Sequence, residues 1–249
     1  MKTTVFRLCL VIMCITLIQS SSGQTITTPY NYPLRPGMPQ WRNLRSQAQK
    51  LAALQVPDSV LGRMSTEALI NTCLDYPFLF LYTAYSDSLG GMAHVIAGFN
   101  GLQELIRRKD AGLQLLKTYQ AYDPLGYGAN WTLVEKGDFV IRLTVLELLL
   151  SHDSILTQLN SDGRLELLAQ VVQKAKTRAN DRLYSFPNLE ASARLAGRIM
   201  LKENFTEYVN AAIANNRQLR FFDGERRHLD ADEINEMLRH AGNLIDQKH

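Results

Sequence analysis

A chain of 249 residues with 46% hydrophobic, 20% charged and 8% aromatic content has the composition of a folded globular protein, not of a disordered tail or a fibrous repeat. Its 27 basic and 24 acidic residues leave a net charge of +3, and Lys2 and Arg7 supply two of those charges. That balance offers no concentrated basic face to a phosphate backbone, so no nucleic-acid partner is expected.

The N-terminus reads as an export signal. Lys2 and Arg7 form a positive region, Leu8 to Ile18 an eleven-residue apolar core, and Ser20 to Gly23 a run of small residues. The layout is that of a secretory signal peptide cleaved near Gly23/Gln24, and its apolar core is short for a membrane span. Met13 before Cys14 and Leu8 before Cys9 do not fit a lipoprotein cleavage site. Removal of residues 1–23 leaves Cys73 as the one cysteine, so no internal disulfide is expected. No later segment is apolar for long enough to span a bilayer. The mature chain is therefore expected to be secreted or periplasmic.

From Gln24 to Gln40 the sequence holds Pro29, Pro33, Pro36 and Pro39, half of the eight prolines, which predicts an extended leader pinned loosely by Tyr30 and Tyr32. Residues 41–249 read as one all-helical domain. Trp41, Leu44, Ala48, Leu51 and Leu54 recur at helical spacing, and Pro57 with Asp58 closes that helix. Ser65 caps the next, with Glu67 in its first turn, and it runs to about Asp75. Phe78 to Tyr82 is apolar on both faces; Pro77 before it favours helix over strand. Gly90 and Gly91 break the chain ahead of a helix from Met92 to Phe99. Asn100 and Asp110 are placed as caps of the two helices that follow, Gln103 giving capping-box spacing after Asn100.

Tyr122 to Lys136, with Pro124, Gly126, Gly128 and Asn130, is the longest internal loop. Beyond it Asp138 opens an apolar helix over 139–150. Further helices start at Asp153, Ser161, Leu189 (capped by Asn188), Glu207 (capped by Thr206) and after Asp230 or Asp232. The fold predicted is all-α, about ten short antiparallel helices with short connections, arranged as an irregular bundle or a degenerate HEAT-like array.

Motifs for chemistry are scarce. The five histidines form no metal-ligand pattern, and no CxxC, phosphate loop, dinucleotide fingerprint or nucleophile elbow is present. His228, Asp230, Asp232 and Glu233 are better explained as an acidic helix start than as a metal site. Cys73 sits on a helix face where a small apolar group is expected. Tyr76, Phe78, Phe80, Tyr82 and Tyr85 read chiefly as core, with a tyrosine-edged groove as the alternative. Arg107-Arg108-Lys109 and Arg226-Arg227 read as solvated charge runs. No catalytic residue, metal or cofactor is expected.

The segments MSTEALINTCLDYP (Met64 to Pro77), FNGLQELIRRKDAG (Phe99 to Gly112) and LLKTY (Leu115 to Tyr119) resemble a family of exported bacterial all-helical proteins of unassigned function. The resemblance implies an exported bacterial protein and brings no catalytic residue with it. Its shared positions (Ser65, Asp75-Tyr76-Pro77, Asn100-Gly101, Asp110) read as determinants of the fold.

Two functions of different class follow. The first is an exported non-enzymatic binding or scaffold module for a protein, peptide or glycan, with Tyr122, Tyr127 and Trp131 of the long loop as the binding residues. Against it stands a loop whose Trp131 only seals the end of a helix pair. The second is a hydrolase of extracellular or envelope polymers, using paired carboxylates such as Glu135, Asp138 or Asp153 near that loop.

Overall fold

A computed structural model of the chain describes residues 24–184, 186–214, 221–222 and 228–248. The expected signal peptide and the Arg226-Arg227 run lie outside them. The fold is all-α. Among the described residues there are twelve α-helices and two 3-10 helices, and no strand beyond one isolated parallel bridge between Ile26 and Met64. In chain order the α-helices are α1 (Gln47–Ala53), α2 (Asp58–Leu61), α3 (Thr66–Leu74), α4 (Ser88–Gly98), α5 (Asn100–Arg107) and α6 (Ala111–Ala121). There follow α7 (Leu133–Leu150), α8 (Asp153–Leu156), α9 (Ser161–Arg178), α10 (Phe186–Lys202), α11 (Thr206–Ala214) and α12 (Ala231–Lys248).

Capping chemistry places the helix starts. Ser65 accepts from the Ala68 amide as expected, and α3 runs to Leu74. The helix expected over Trp41 to Leu54 is instead two pieces. A 3-10 helix covers Pro39–Asn43, Leu44 is extended, and Ser46 with Gln49 forms a capping box that starts α1 afresh. Pro57 does not close a helix; it stands at the N-cap of the short α2. Gly90 and Gly91 lie inside α4, which Asp87 caps by accepting from the Gly90 amide. Gly91 is needed there because a Cβ would overlap the Tyr82 carbonyl, so α4 packs directly on the 3-10 helix Leu79–Ala84.

Asn100 and Asp110 have another use than the one their spacing suggests. Asn100 is the first residue of α5, and its side-chain amide grips Val56, accepting from its N–H (3.0 Å) and donating to its carbonyl (2.7 Å). Asp110 sits at the N-cap of α6, but its carboxylate accepts from the Thr66 hydroxyl at 2.9 Å. Arg108 likewise leaves the solvated face: its guanidinium donates to the carbonyls of Met64 and Leu61. These long-range pins hold α5, and the turn between α5 and α6, against α3 and the residues 56–64 that lead into it.

The leader is bound more firmly than its proline content suggests. Ile26 exchanges backbone bonds with Arg63 and Ser65, and the Tyr30 amide donates to Thr72 Oγ1 at 2.8 Å. Tyr32 is 1% exposed, with its hydroxyl on the Thr72 carbonyl and its ring near those of Tyr76 and Phe99. Of the five clustered aromatics, Tyr76 and Tyr82 are core whereas Phe80 and Tyr85 are exposed.

At the centre lie α7 and α10. From Leu143 to Leu150 α7 is buried on every side, which fits a helix enclosed by others, and it contacts α4, α6, α8 and α10. In turn α10 packs on α7, α9, α11 and α12. Helices far apart in sequence therefore share this core, which is the pattern of an irregular bundle; a solenoid repeat touches only its neighbours. A buried polar cluster joins four of these helices. Glu147 (α7) pairs with Arg178 (α9) at 2.6 Å, and the hydroxyls of Tyr119 (α6) and Ser192 (α10) donate to the same carboxylate. Both charges are fully buried, and the guanidinium also faces the Tyr184 ring.

Candidate binding groove

The long loop is shorter than its composition suggests, because Thr132 and Glu135 form a capping box that starts α7 at Leu133. Asp138 thus lies within the helix and does not open it. What remains, residues 122–132, is tied down at several points. Lys174 of α9 donates to the Tyr122 carbonyl at 2.6 Å, and the Tyr184 hydroxyl donates to the Pro124 carbonyl at 2.6 Å. Tyr127 donates its hydroxyl to Asp181 at 2.6 Å, and that bond raises the phenol above its ordinary pKa.

Phe139, on the second turn of α7, is the hub. Tyr122, Trp131 and Tyr127 bring their rings to within 4.7, 5.8 and 6.1 Å of its centroid, and the Tyr122 hydroxyl donates to its carbonyl. Trp131 lies over Gly128, where a Cβ would overlap the indole, yet it remains 41% exposed. The loop thus presents a ring fixed in position with much of its surface left to solvent.

Tyr122, Trp131, Glu135, Asp138, Phe139 and Arg142 line one open groove of about 490 Å³. Two of the three loop aromatics singled out by composition, Tyr122 and Trp131, form its walls; Tyr127 stands beside it, its hydroxyl engaged by Asp181. Leu133 and Val134, 80% and 74% exposed, follow Trp131 on the first turn of α7. Two further hollows adjoin. One of about 460 Å³, between α3 and α6, shares Tyr122 and is edged by Glu67, Asn71, Gln114, Lys117 and Thr118. The other, of about 140 Å³, shares Asp138 and Arg142 and reaches Arg35, Asp75 and Phe80.

Charge in the groove is mostly committed. Arg142 of α7 pairs at 2.5 Å with Asp75, just past the end of α3. Glu135 accepts from the Thr132 amide (2.7 Å) and hydroxyl (2.8 Å), and these bonds hold its carboxyl below the usual range. A carboxyl held ionised in this way is poorly suited to give a proton to a leaving group, the task that one member of a hydrolytic pair must perform. Asp153, the third acid considered from the sequence, is elsewhere, paired with Arg198 at 3.1 Å.

A separate cavity of about 170 Å³ gathers residues that no motif connected: Ser88, Glu190 and His228, with Tyr82, Tyr85 and Thr144. Glu190 is buried, and desolvation raises its carboxyl despite a 3.2 Å contact from His228 Nδ1 and a bond from the Leu229 amide. The arrangement has the acid and histidine of a triad, but Ser88 Oγ has no hydrogen-bond partner, so the link from nucleophile to base is missing. What Glu190 does hold is the chain ahead of α12. Asp230 and Glu233 then exchange capping-box bonds at the start of that helix, as the acidic run predicted.

Cys73 is fully buried and burial pushes its thiol up, which removes the thiolate a nucleophile needs. Among the described residues no group of three or more histidines, cysteines and acids could hold a metal ion, and no helix is long and apolar enough to cross a membrane. Phe139 and Arg142 are the site residues that sequence reasoning missed. Their signal was the Thr132-x-x-Glu135 capping box, which puts Glu135, Asp138, Phe139 and Arg142 on one face of a continuous helix. No protein-family model, curated protein or solved structure matches the chain.

Proposed function

We propose that the protein is an exported, non-enzymatic binding module whose ligand lies in the groove between the 122–132 loop and the first turns of α7. The observation that carries this reading is Trp131: a large amphipathic ring, locked by Phe139 and Gly128, that keeps 41% of its surface exposed at the edge of a cavity. Tryptophan and tyrosine are among the side chains that dominate recognition energetics, and a pre-fixed loop avoids the ordering cost that weakens binding by mobile segments. Export rests on the layout of residues 1–23. Of the acids considered for the hydrolase alternative, Glu135 is committed to the cap of α7 and Asp153 lies elsewhere, paired with Arg198.

Photo-crosslinking tests the site. A photoreactive residue replacing Val134, incubated with an envelope extract of the producing cell, should give a discrete adduct that disappears when Trp131→Ala is added. The same probe at Glu166, on the exposed side of α9, should give none. Equal adducts from both positions, or adducts indifferent to Trp131, would overturn the assignment.

A further inference from the structure

The three adjoining hollows form one furrow: Tyr122 is a wall of both the α3–α6 hollow and the central groove, while Asp138 and Arg142 are walls of both the groove and its smaller neighbour. A furrow that extends beyond its aromatic centre suits a linear ligand of several units. Its walls then narrow the class. Strand addition requires an open sheet edge, and among the described residues there is no sheet. Docking of an amphipathic helix favours an unbroken apolar stripe, whereas here apolar groups such as Phe139 and Ile141 are interrupted by polar side chains that each helix turns to the furrow at i, i+4 spacing. These are Glu67 and Asn71 on α3, Gln114 and Thr118 on α6, and Asp138 and Arg142 on α7.

Electrostatics narrows it further. Glu67, Glu135 and Asp138 are set against Lys117 and Arg35, and Arg142 is already neutralised by Asp75. No surplus of positive charge is offered to a polyanion. What the furrow does offer is the side-chain amides of Asn71 and Gln114 and the carboxylates of Glu67 and Asp138, groups that bond hydroxyls, beside the rings of Trp131, Phe139 and Tyr122. A pyranose is the ligand unit with that double character, C–H groups on its face and hydroxyls around its edge.

We infer that the furrow binds an extended, uncharged oligosaccharide, with one sugar on Trp131 and others reaching Asn71 and Gln114; this rests on the binding reading above. Fluorescence polarisation with labelled, uncharged β-1,4-linked hexasaccharides of glucose, mannose and N-acetylglucosamine tests it, with the matching disaccharides and a labelled proline-rich decapeptide as comparisons. At least one hexasaccharide should bind saturably, and its disaccharide at least tenfold more weakly. Trp131→Ala should weaken the hexasaccharide at least tenfold with an unchanged circular dichroism spectrum. Asn71→Ala with Gln114→Ala should weaken the hexasaccharide several-fold and leave the disaccharide unaffected. Equal affinity for both lengths, or binding indifferent to Trp131, would overturn the furrow assignment. Binding of the decapeptide through Trp131 without any hexasaccharide would overturn the ligand class and keep the binding module. Absence of binding by every probe, together with the absence of a Trp131-dependent crosslink, would overturn both.

Discussion

Arg178→Met removes one half of the buried pair that ties α7 to α9 and thereby sets where the groove helix sits. Both side chains are 0% exposed and 2.6 Å apart, so the variant leaves Glu147 with only the neutral donors of Tyr119 and Ser192. Breaking a buried pair from one side costs about 3–5 kcal/mol, because the remaining charge keeps its desolvation penalty and loses its compensation. At roughly 2–4 °C per kcal/mol for a chain of this size, Tm should fall by about 6–20 °C. Glu147→Gln with Arg178→Met should recover part of the loss, because it removes the uncompensated charge and keeps an acceptor for the Tyr119 and Ser192 hydroxyls. Thermal and urea unfolding of the single and double variants supply the measurement. A single-variant Tm within 2 °C of the parent would refute the reasoning.

Two further outcomes follow from groups whose protonation the fold controls. Cys73, on the buried face of α3 with its thiol pushed up, should not react with a disulfide reagent at pH 8 in residues 24–249 until denaturant is added; stoichiometric labelling of the native protein would show the site to be open. Glu135→Gln should lower stability at pH 7, because the ionised carboxylate accepts two bonds from Thr132. The folded pKa of Glu135 is depressed, so its contribution is present above the unfolded value near 4.5 and is lost as pH falls through the folded one. Unfolding curves of parent and variant should converge in acid, and a gap that widens there would reverse the assignment.

Periodicity and caps made the fold class legible, and Ser65 shows why: a hydroxyl three residues before a backbone amide, ahead of an apolar run, is a local signal that the tertiary structure leaves intact. Where the reading failed, the side chain had been claimed from a distance. Asn100 and Asp110 have the chemistry of caps, but Val56 and Thr66, more than forty residues away, take those polar groups. Nothing local distinguishes a cap from a cross-element pin. The glycine pair failed for the converse reason. Gly90 and Gly91 look like a break in an isolated chain, yet Gly91 sits within α4 because the Tyr82 carbonyl leaves no room for a Cβ.

The groove was half legible for a related reason. Composition marked Tyr122, Tyr127 and Trp131 as a cluster of amphipathic rings on a long connection, and two of the three do border the cavity. What decides between a wall and a strut is the partner of each hydroxyl or ring, which sequence does not show. Tyr127 is drawn aside by Asp181, fifty-four positions on, while Trp131 has no polar tether and stays at the rim. The missing wall was closer to hand. Reading Thr132 and Glu135 as a capping box moves the start of α7 back by six residues, from 139 to Leu133. Glu135, Asp138, Phe139 and Arg142 then become one continuous helical face rather than the tail of a loop followed by the head of a helix. The ring that organises the groove is therefore on a rigid element, and the loop takes its shape from that helix, which is the order of support a preorganised binding surface requires.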